Sequence, residues 1–581
     1  MTSRNVENAF IDKINCYVKK TFNLYKPEKM SEKVIHDPIW GSVLYYSWEI
    51  QLIDSPIFQR LRDIHQLGMA DLTYPAAHHS RLEHSLGTVA IASRMMEKLF
   101  ERYRDGINDN IVDMKITYKD IYKIRLSALL HDIGHCFYSH LSETVYGLMP
   151  EFEIMTNMIK ENAGQEINPK PHEIFSYLII TCQAFASIFY ENIDFPEKGC
   201  LKDCETLLKE VGNMVIGVFN FAEIDGKKYR QAYMTQILNS DFDADKLDYT
   251  QRDSYTAGIA LTYGVERFLL KIVIHKQEND GYIDLKLAIN SDTLTTVEEL
   301  IFNRNILNVN MYRHQKILAT EAAIRDIINS LVELKIIKHP CDFLQYTDLF
   351  IEKLEDDKRI PFPQIAPQRT LGNLVKQIKF RQLPKRCFEL NKDVIILKNA
   401  DEIKEKAIDK FIEALDKIKI KSETIPKEFL KNYFDDFDND NLKMNYIEEF
   451  INKTNTYEYK NYLKLRYKLY EALCEEYRNQ NIEINFDVFD LHIVFPKLLK
   501  DKTSLLVISK SGDSYTTDRI SYIKKWADSF NWDKWKGFIF SGTNIDRKIA
   551  FKVSNQFLQS LDPQIKFRNA EFYISKVSSE Q

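Results

Sequence analysis

Residues 126–140 read LSALLHDIGHCFYSH, and the reading of this stretch decides the rest. Leu126, Leu129 and Leu130 have the spacing of a buried helix face. The run then delivers His131, Asp132 and His135, with His140 beyond the aromatic pair Phe137 and Tyr138. The spacing predicts that His131 and His135, four apart, share one helix face. Polar groups at the end of an apolar helix are costly unless satisfied, and a metal ion satisfies several at once. The plainer reading is hydrogen-bonded histidines near a helix end. It accounts for one such residue better than for four.

Two further clusters flank this one. Upstream, His78-His79-Ser80-Arg81-Leu82-Glu83-His84-Ser85-Leu86-Gly87 opens an Ala-containing helix with His84 about one turn inside. Downstream, Asp241, Asp243, Asp245, Asp248 and Asp253 crowd one short segment that also holds Lys246, Tyr249 and Arg252. Such carboxylates repel one another unless cations or metals compensate them. Taken alone, the segment reads equally well as an acidic helix N-terminus favoured by the dipole. Together, one His, a His-Asp pair and a remote Asp make a mixed imidazole and carboxylate set. It suits a six-coordinate first-row metal, iron or manganese with zinc as the alternative, better than a tetrahedral structural zinc. Such a metal lowers the pKa of water and polarises a phosphoryl group.

The surroundings are ordinary for a globular protein. The chain has 581 residues, 44% hydrophobic and 28% charged, with a formal net charge of -5. That length predicts two or three domains. The charge gives no sign of nucleic-acid binding, which a local basic pocket alone would have to supply. No apolar run is long enough to span a bilayer. The opening residues are polar and amphipathic, unlike a secretory signal. Eight scattered cysteines read as reduced thiols of a cytoplasmic protein. Cys200 and Cys204 are the one close pair, to be weighed as a structural metal site.

Helical periodicity runs through most of the first 400 residues, as in Ile91–Leu99 with Arg94, Glu97 and Lys98 on the outer face. Loops are expected at Arg104–Asn110, Glu161–Lys170 and Ile360–Gln368, where Pro361, Pro363 and Pro367 break a helix. Past residue 482 the texture turns β-rich, in INFDVFDLHIVF (484–495), LLVIS (505–509) and GFIFS (537–541). The expected architecture is mainly α. It comprises an N-terminal helical arm (1–30), a helical core (31–400), a charged helical connector (401–481) and a smaller mixed α/β C-terminal lobe (482–581).

From about Lys33 to Arg386 the chain resembles the HD-domain triphosphohydrolases of deoxynucleotides, the vertebrate SAM- and HD-domain enzymes and bacterial dGTPase-like relatives among them. No SAM domain is expected ahead of it. The landmarks come in order. Lys33-Val34-Ile35-His36-Asp37-Pro38-Ile39-Trp40-Gly41 is followed by Asp54-Ser55-Pro56-Ile57-Phe58-Gln59-Arg60-Leu61-Arg62 and His65-Gln66-Leu67-Gly68. Then come Arg81 to Gly87, the His-Asp helix, Pro171-His172-Glu173, Asp245 to Tyr249 with Arg252-Asp253, Arg304-Asn305 and Tyr312-Arg313-His314.

The resemblance implies roles. His84, His131, Asp132 and Asp245 match the metal ligands. His135, His140 and His172 match the histidines around the reacting phosphate, with His140 positioning water or delivering a proton to the leaving ribose oxygen. Arg81, Lys246, Tyr249 and Arg304 match the triphosphate clamp, and a tetra-anionic substrate does need such cations. Without the resemblance, long cations are by default solvated. Gln66 and Asp253 match contacts to the sugar 3′-hydroxyl. Leu67 and Tyr312 match the pair crowding the 2′ position, and would otherwise read as ordinary core.

A guanine-nucleotide activator site in the family matches Lys33, Val34, Asp54, Gln59 and Arg62. A second activator site is only partly matched, by Arg267, His314 and Lys376. Asn290, Asp292 and Gly372 lack its cations, and His36 replaces an asparagine. The resemblance thus implies a deoxynucleoside triphosphate substrate taken with magnesium, a homo-oligomer such as a tetramer, and a simpler or altered activation. Nucleotide-pool control and antiviral depletion of nucleotides are both in keeping with it. Two other readings stay open: hydrolysis of a different, signalling nucleotide, and a non-enzymatic nucleotide or nucleic-acid binding module. The intact ligand set speaks against the last.

Overall fold

The structure is a computed structural model. It describes residues 3–103 except 24, 29 and 30; 115–354 except 225 and 280; 359–397 except 361–365, 367 and 368; 439–562 except 455–457, 501, 502 and 518–521; and 565–567. The expected loop at 104–110, the three prolines of the 360–368 loop and the first part of the charged connector lie outside the described residues.

The described chain is mainly helical, with short sheets. It divides into two compact units, one of residues 1–312, 327–356 and 501–527, the other of 313–326, 357–500 and 528–581. The helix Arg81–Tyr103 runs through the first unit and buries His84, Ser85, Gly87, Thr88, Val89, Ile91, Ala92, Met95, Met96 and Leu99. Tyr118–Leu130 packs on it, as does Ala244–Ala257. Gly87 makes the second approach feasible. A Cβ there would run into the Asp248 carboxylate and the Arg252 guanidinium.

The helix that starts the His-Asp stretch ends at Leu130, with His131 as its C-cap. His131 and His135 therefore do not share a helix face, as their spacing had suggested. Residues 131–134 instead form a turn, and Gly134 presses it against the helix Pro171–Thr181. A Cβ at 134 would meet the His172 carbonyl and the Ser176 amide, neither of which can move aside. The Gly134 amide donates to Ser176 Oγ at 2.9 Å, and Ser176 Oγ donates to the His131 carbonyl at 2.6 Å.

The helical periodicity gave no warning of a six-stranded sheet in this unit. Its centre is Tyr282–Asn290, antiparallel to Ile272–Asn279 along its whole length, with Ile272 opposite Ile289. The other edge of Tyr282–Asn290 takes two short parallel partners. One is Lys227–Arg230; the other is Leu506–Ile508, more than 200 residues later in the chain, with Leu506 opposite Ala288. A second hairpin pairs Lys33–Asp37 with Gly41–Tyr45.

The second unit has a three-stranded antiparallel sheet with Gly537–Ser541 between Lys385–Leu390 and Leu491–Val494. The helices Asn439–Thr454, Tyr459–Asn479 and Arg547–Leu561 share its apolar core around Trp535, Ile539, Leu469 and Phe486. Of the expected run 484–495 only Leu491–Val494 is strand. Val488–Asp490 is a 3-10 turn capped by the Asp487 side chain. A buried ion pair ties Arg466 to Asp326 at 2.8 Å.

All eight cysteines are free thiols. Among the described residues no single helix is long and apolar enough to cross a membrane. The bent pair Pro171–Thr181 and Gln183–Asn192 passes by length and composition only as two halves, 58° apart.

Candidate metal and phosphate site

His84 sits in the first turn of its helix, fully buried, and its Nδ1 lies 2.8 Å from Asp248 Oδ2. His131 Nδ1 lies 2.7 Å from the Ala128 carbonyl. Facing acceptors, both Nδ1 atoms carry the proton, so both Nε2 atoms present bare lone pairs. Neither Nε2 has a hydrogen-bond partner. Yet His84 Nε2 lies 3.0 Å from Asp245 Oδ1, and ligand atoms of His84, His131 and Asp245 all fall within 4.8 Å of one another. A lone pair does not rest against a carboxylate oxygen without a cation between them, a proton or a metal ion. Without a metal it is the proton. Burial pushes the His84 imidazole down, but the carboxylates of Asp245 and Asp248 beside it more than reverse this and carry it up to about 10.

Asp132 stands among the imidazoles. Its Oδ1 is 3.3 Å from His131 Nε2, 3.4 Å from His135 Nε2 and 3.8 Å from His172 Nε2, and its Oδ2 is 3.7 Å from His84 Nε2. Burial opposes its charge, yet His131, His135 and Arg81 hold the carboxyl well below its ordinary range. All four expected ligands thus meet in one place. Two nitrogens and two carboxylates fit a divalent first-row ion. Asp248 completes the carboxylate–histidine pair that orients such a ligand. It also accepts from Trp40 Nε1 at 2.5 Å and from Arg252.

A second group adjoins the first. Glu143 Oε1 lies 2.8 Å from His172 Nδ1, 2.9 Å from His140 Nδ1 and 3.5 Å from His135 Nδ1. Ligand atoms of these four also fall within 4.8 Å of one another. Glu143 accepts from two imidazoles at once and fixes their tautomers. Its charge is favoured by His172 and His140 against burial, and its carboxyl stays well below the ordinary range. His135 has no hydrogen-bond partner on either nitrogen. Burial, with Arg81 and His172 nearby, keeps it neutral by pushing it well below the ordinary histidine value.

Cations border both groups. Arg81 Nη1 donates to Asp132 Oδ2 at 2.9 Å, and Arg81 Nη2 lies 3.3 Å from His140 Nε2. Lys246 Nζ pairs with Asp243 Oδ2 at 2.6 Å. Burial raises the Tyr249 phenol, while Arg304 and Lys246 pull it down, so both cations bear on Tyr249. Arg304 Nη2 donates to Thr503 Oγ1 at 3.0 Å. Lys170, which the sequence reading passed over, adds a cation near Asp245, Lys246 and Tyr249. Its side chain is exposed, and Glu173 and Asp245 favour its charge. Asp253 is buried, with Oδ2 2.5 Å from Tyr312 Oη and Oδ1 3.0 Å from His79 Nε2. Gln66 joins this chain through its backbone N–H, which donates to the His79 carbonyl at 3.0 Å. Leu67 is half-buried in the turn that follows. A single π-helical turn, Asn308–Tyr312, separates Arg304 from Tyr312; such turns favour functional sites.

Every carboxylate of the acidic segment has its own partner. Asp243 is the N-cap, bound by the Lys246 amide at 2.7 Å, and Asp241 accepts from the Ser504 amide at 2.7 Å. The dipole reading therefore applies to Asp243, the N-cap, and to Asp245 in the first turn. Among the residues matched to the first activator site, Lys33 Nζ lies 3.5 Å from Asp54 Oδ2, and Arg62 donates to Gln59 Oε1 at 3.2 Å. Gln59 Nε2 donates to the Ile53 carbonyl at 2.7 Å, one residue from Asp54. Val34 is exposed in the same hairpin as Lys33. Of the second set, Arg267 donates to the Asp292 carbonyl and Lys271 pairs with the Asp292 carboxylate. Asn290 ends the strand just before Asp292. His36 Nδ1 lies 3.5 Å from Ser42 Oγ. His314, Gly372 and Lys376 belong to the other unit. Cys200 is exposed and forms no metal-capable group with Cys204 among the described residues.

Residues 81–253, which hold both groups, match the HD domain family. The chain thus contains an HD domain and is similar to deoxynucleoside triphosphate triphosphohydrolases. It is 25% identical over 297 residues to the deoxynucleoside triphosphate triphosphohydrolase SAMHD1 of Bos taurus, covering 49% of this chain and 45% of that one. It is 30% identical over 305 residues to an uncharacterized protein of Methanocaldococcus jannaschii, 52% of this chain and 50% of that one. A putative HD domain-containing protein of Acanthamoeba polyphaga mimivirus is 26% identical over 381 residues, 61% and 73% respectively. The chain spans about half the length of the first two of these relatives. Within the HD domain, sequence reasoning missed Glu143, Lys170 and Asp248. Glu143 lies three residues after His140 and Asp248 three after Asp245, a helical spacing that offered a usable signal.

Proposed function

We propose that this site hydrolyses deoxynucleoside triphosphates to a deoxynucleoside and inorganic triphosphate. One observation carries the reading: buried His84 Nε2 lies 3.0 Å from Asp245 Oδ1 and His131 Nε2 3.3 Å from Asp132 Oδ1, with the cations Arg81 and Lys246 paired to Asp132 and Asp243 alongside. His84, His131, Asp132 and Asp245 would hold a divalent cation, which would supply charge stabilisation and lower the pKa of a water. Arg81, Lys246, Tyr249 and Arg304 hold the phosphates, with Lys170 at the rim and magnesium accompanying the nucleotide. The bond between the α-phosphorus and O5′ breaks, water supplies the new oxygen, and O5′ leaves with a proton. His140 exchanges its proton at Nε2, because Glu143 holds its Nδ1. His135 and His172 line the reacting phosphate.

The sugar reading rests on the Asp253–Tyr312 pair. Asp253 and Gln66 take the 3′-hydroxyl, and Tyr312 with Leu67 crowds position 2′. An added 2′-hydroxyl left unpaired there costs about 1–3 kcal/mol, a discrimination of roughly ten- to a hundredfold.

Regulation belongs to the same proposal. A guanine nucleotide binds at Lys33, Val34, Asp54, Gln59 and Arg62, where Asp54 accepts from the guanine edge and Arg62 pairs with phosphate. The working form is a homotetramer. The domain limits 1–30, 31–400, 401–481 and 482–581 are proposed on the same footing.

The test is product analysis with each dNTP and rNTP, alone and in pairs, with manganese and magnesium present. Inorganic triphosphate from dNTPs supports the reading. Orthophosphate or a linearised nucleotide instead points to a signalling nucleotide as substrate. Nucleotide binding with no product points to a binding module. Mass by light scattering, with and without GTP, tests the oligomer, and Asp54→Ala is expected to blunt activation while metal content stays unchanged.

A further inference from the structure

Asp348 lies far from every motif above, at the start of the short helix Asp348–Glu352, and is almost wholly buried. Its carboxylate is spent on two distant turns. Oδ1 accepts from the Tyr138 amide at 2.6 Å. Oδ2 accepts from the His65 amide at 2.9 Å and lies 2.7 Å from His65 Nδ1.

Both turns lead into the candidate site. Tyr138 and Ser139 stand at φ 52° and 49°, two successive non-glycine residues in the left-handed region. L-residues occupy it at a steric cost, and such strain persists only where surroundings enforce it. Ser139 Oγ donates to the His65 carbonyl at 2.6 Å and accepts from Arg81 Nε at 3.1 Å. The residue after Ser139 is His140, and the residue after His65 is Gln66. The Arg81 amide donates to the Ile64 carbonyl at 2.9 Å.

We infer that Asp348 is a positioning residue that holds the 138–139 and 64–66 turns in register, and so sets His140, Arg81 and Gln66 against one another. The inference rests on the proposed reading of the site for what those three residues do. An ordinary first-turn Asp would face its own helix; this one reaches out to two donors on other segments. A carboxylate is required because both turns present N–H groups. An Asn would offer one acceptor and set its NH2 against the other donor.

The test is Asp348→Asn in the full chain, read by hydrogen exchange and by turnover. Peptides covering 64–67 and 137–140 are expected to exchange at least tenfold faster than in the wild type, with the helix Arg81–Tyr103 and bound manganese unchanged. Turnover of dNTPs falls tenfold or more, and the ratio of dNTP to rNTP rates narrows, which a merely structural residue would not cause. Unchanged exchange in the two turns, or a rise spread over the whole chain, overturns the inference. Should the variant not fold, the wild type decides: the Tyr138 and His65 amides must be slow to exchange despite lying in turns, and fast exchange there overturns the inference. A wild type that cleaves no dNTP removes the substrate reading and leaves the exchange data to judge Asp348.

Discussion

His84 and Asp248 meet at 2.8 Å across 164 residues of chain, both fully buried. The contact fixes the proton on Nδ1 and turns Nε2 toward Asp245. Partners of this kind typically contribute ten- to a hundredfold in metal affinity. Asp248→Asn is therefore expected to weaken manganese binding by about that factor. Elemental analysis and a competition titration check it, and unchanged affinity would mean that Asp248 serves only Arg252 and Trp40.

Metal affinity should also depend on pH. In the metal-free protein His84 is protonated below about 10, and a cation must displace that proton. From pH 6.5 to 8.5 each added pH unit is expected to strengthen binding about tenfold. His84→Gln removes most of this slope. A flat profile for the wild type would count against His84 as a ligand.

Arg304 is oriented by the Thr503 hydroxyl, which brings no charge of its own to compete with phosphate. Losing one such bond costs about 1 kcal/mol. Thr503→Val is expected to raise KM for a nucleoside triphosphate several-fold with kcat little changed, while Thr503→Ser keeps both. Steady-state kinetics on the two variants separates them.

Glu321, half-buried in the helix Gln315–Glu333, has its carboxyl raised by burial from 4.5 to about 7. A raised folded pKa means that its stabilising share is full below about 4.5 and lost as pH rises through about 7. Glu321→Gln should leave stability near the wild type at pH 4.5. At pH 8.5 it should add about 2 kcal/mol, the figure reduced for partial exposure. Thermal midpoints at the two pH values check the sign.

The sequence by itself determined the candidate ligands. The run from His131 to His140 is legible because ionisable side chains at the end of an apolar helix have few ways to be satisfied, and it was the family resemblance that singled out His84, His131, Asp132 and Asp245 within the three clusters. The mainly helical class follows from periodicity for the same local reason. The tertiary structure alone decided what orients them. Asp348 and Thr503 carry no local signal, since an isolated Asp or Thr reads as a cap or a surface residue until its partner is known, and the spacing of Asp248 from Asp245 does not name His84 as its partner. It also decided where LLVIS goes. A short apolar run advertises a strand but not its neighbour, and Leu506–Ile508 joins the sheet of the first unit beside Ala288–Asn290. Hydrogen bonds across 164, 199 and 283 residues are set by how the chain returns on itself, and no pattern within a helical or strand repeat encodes that return.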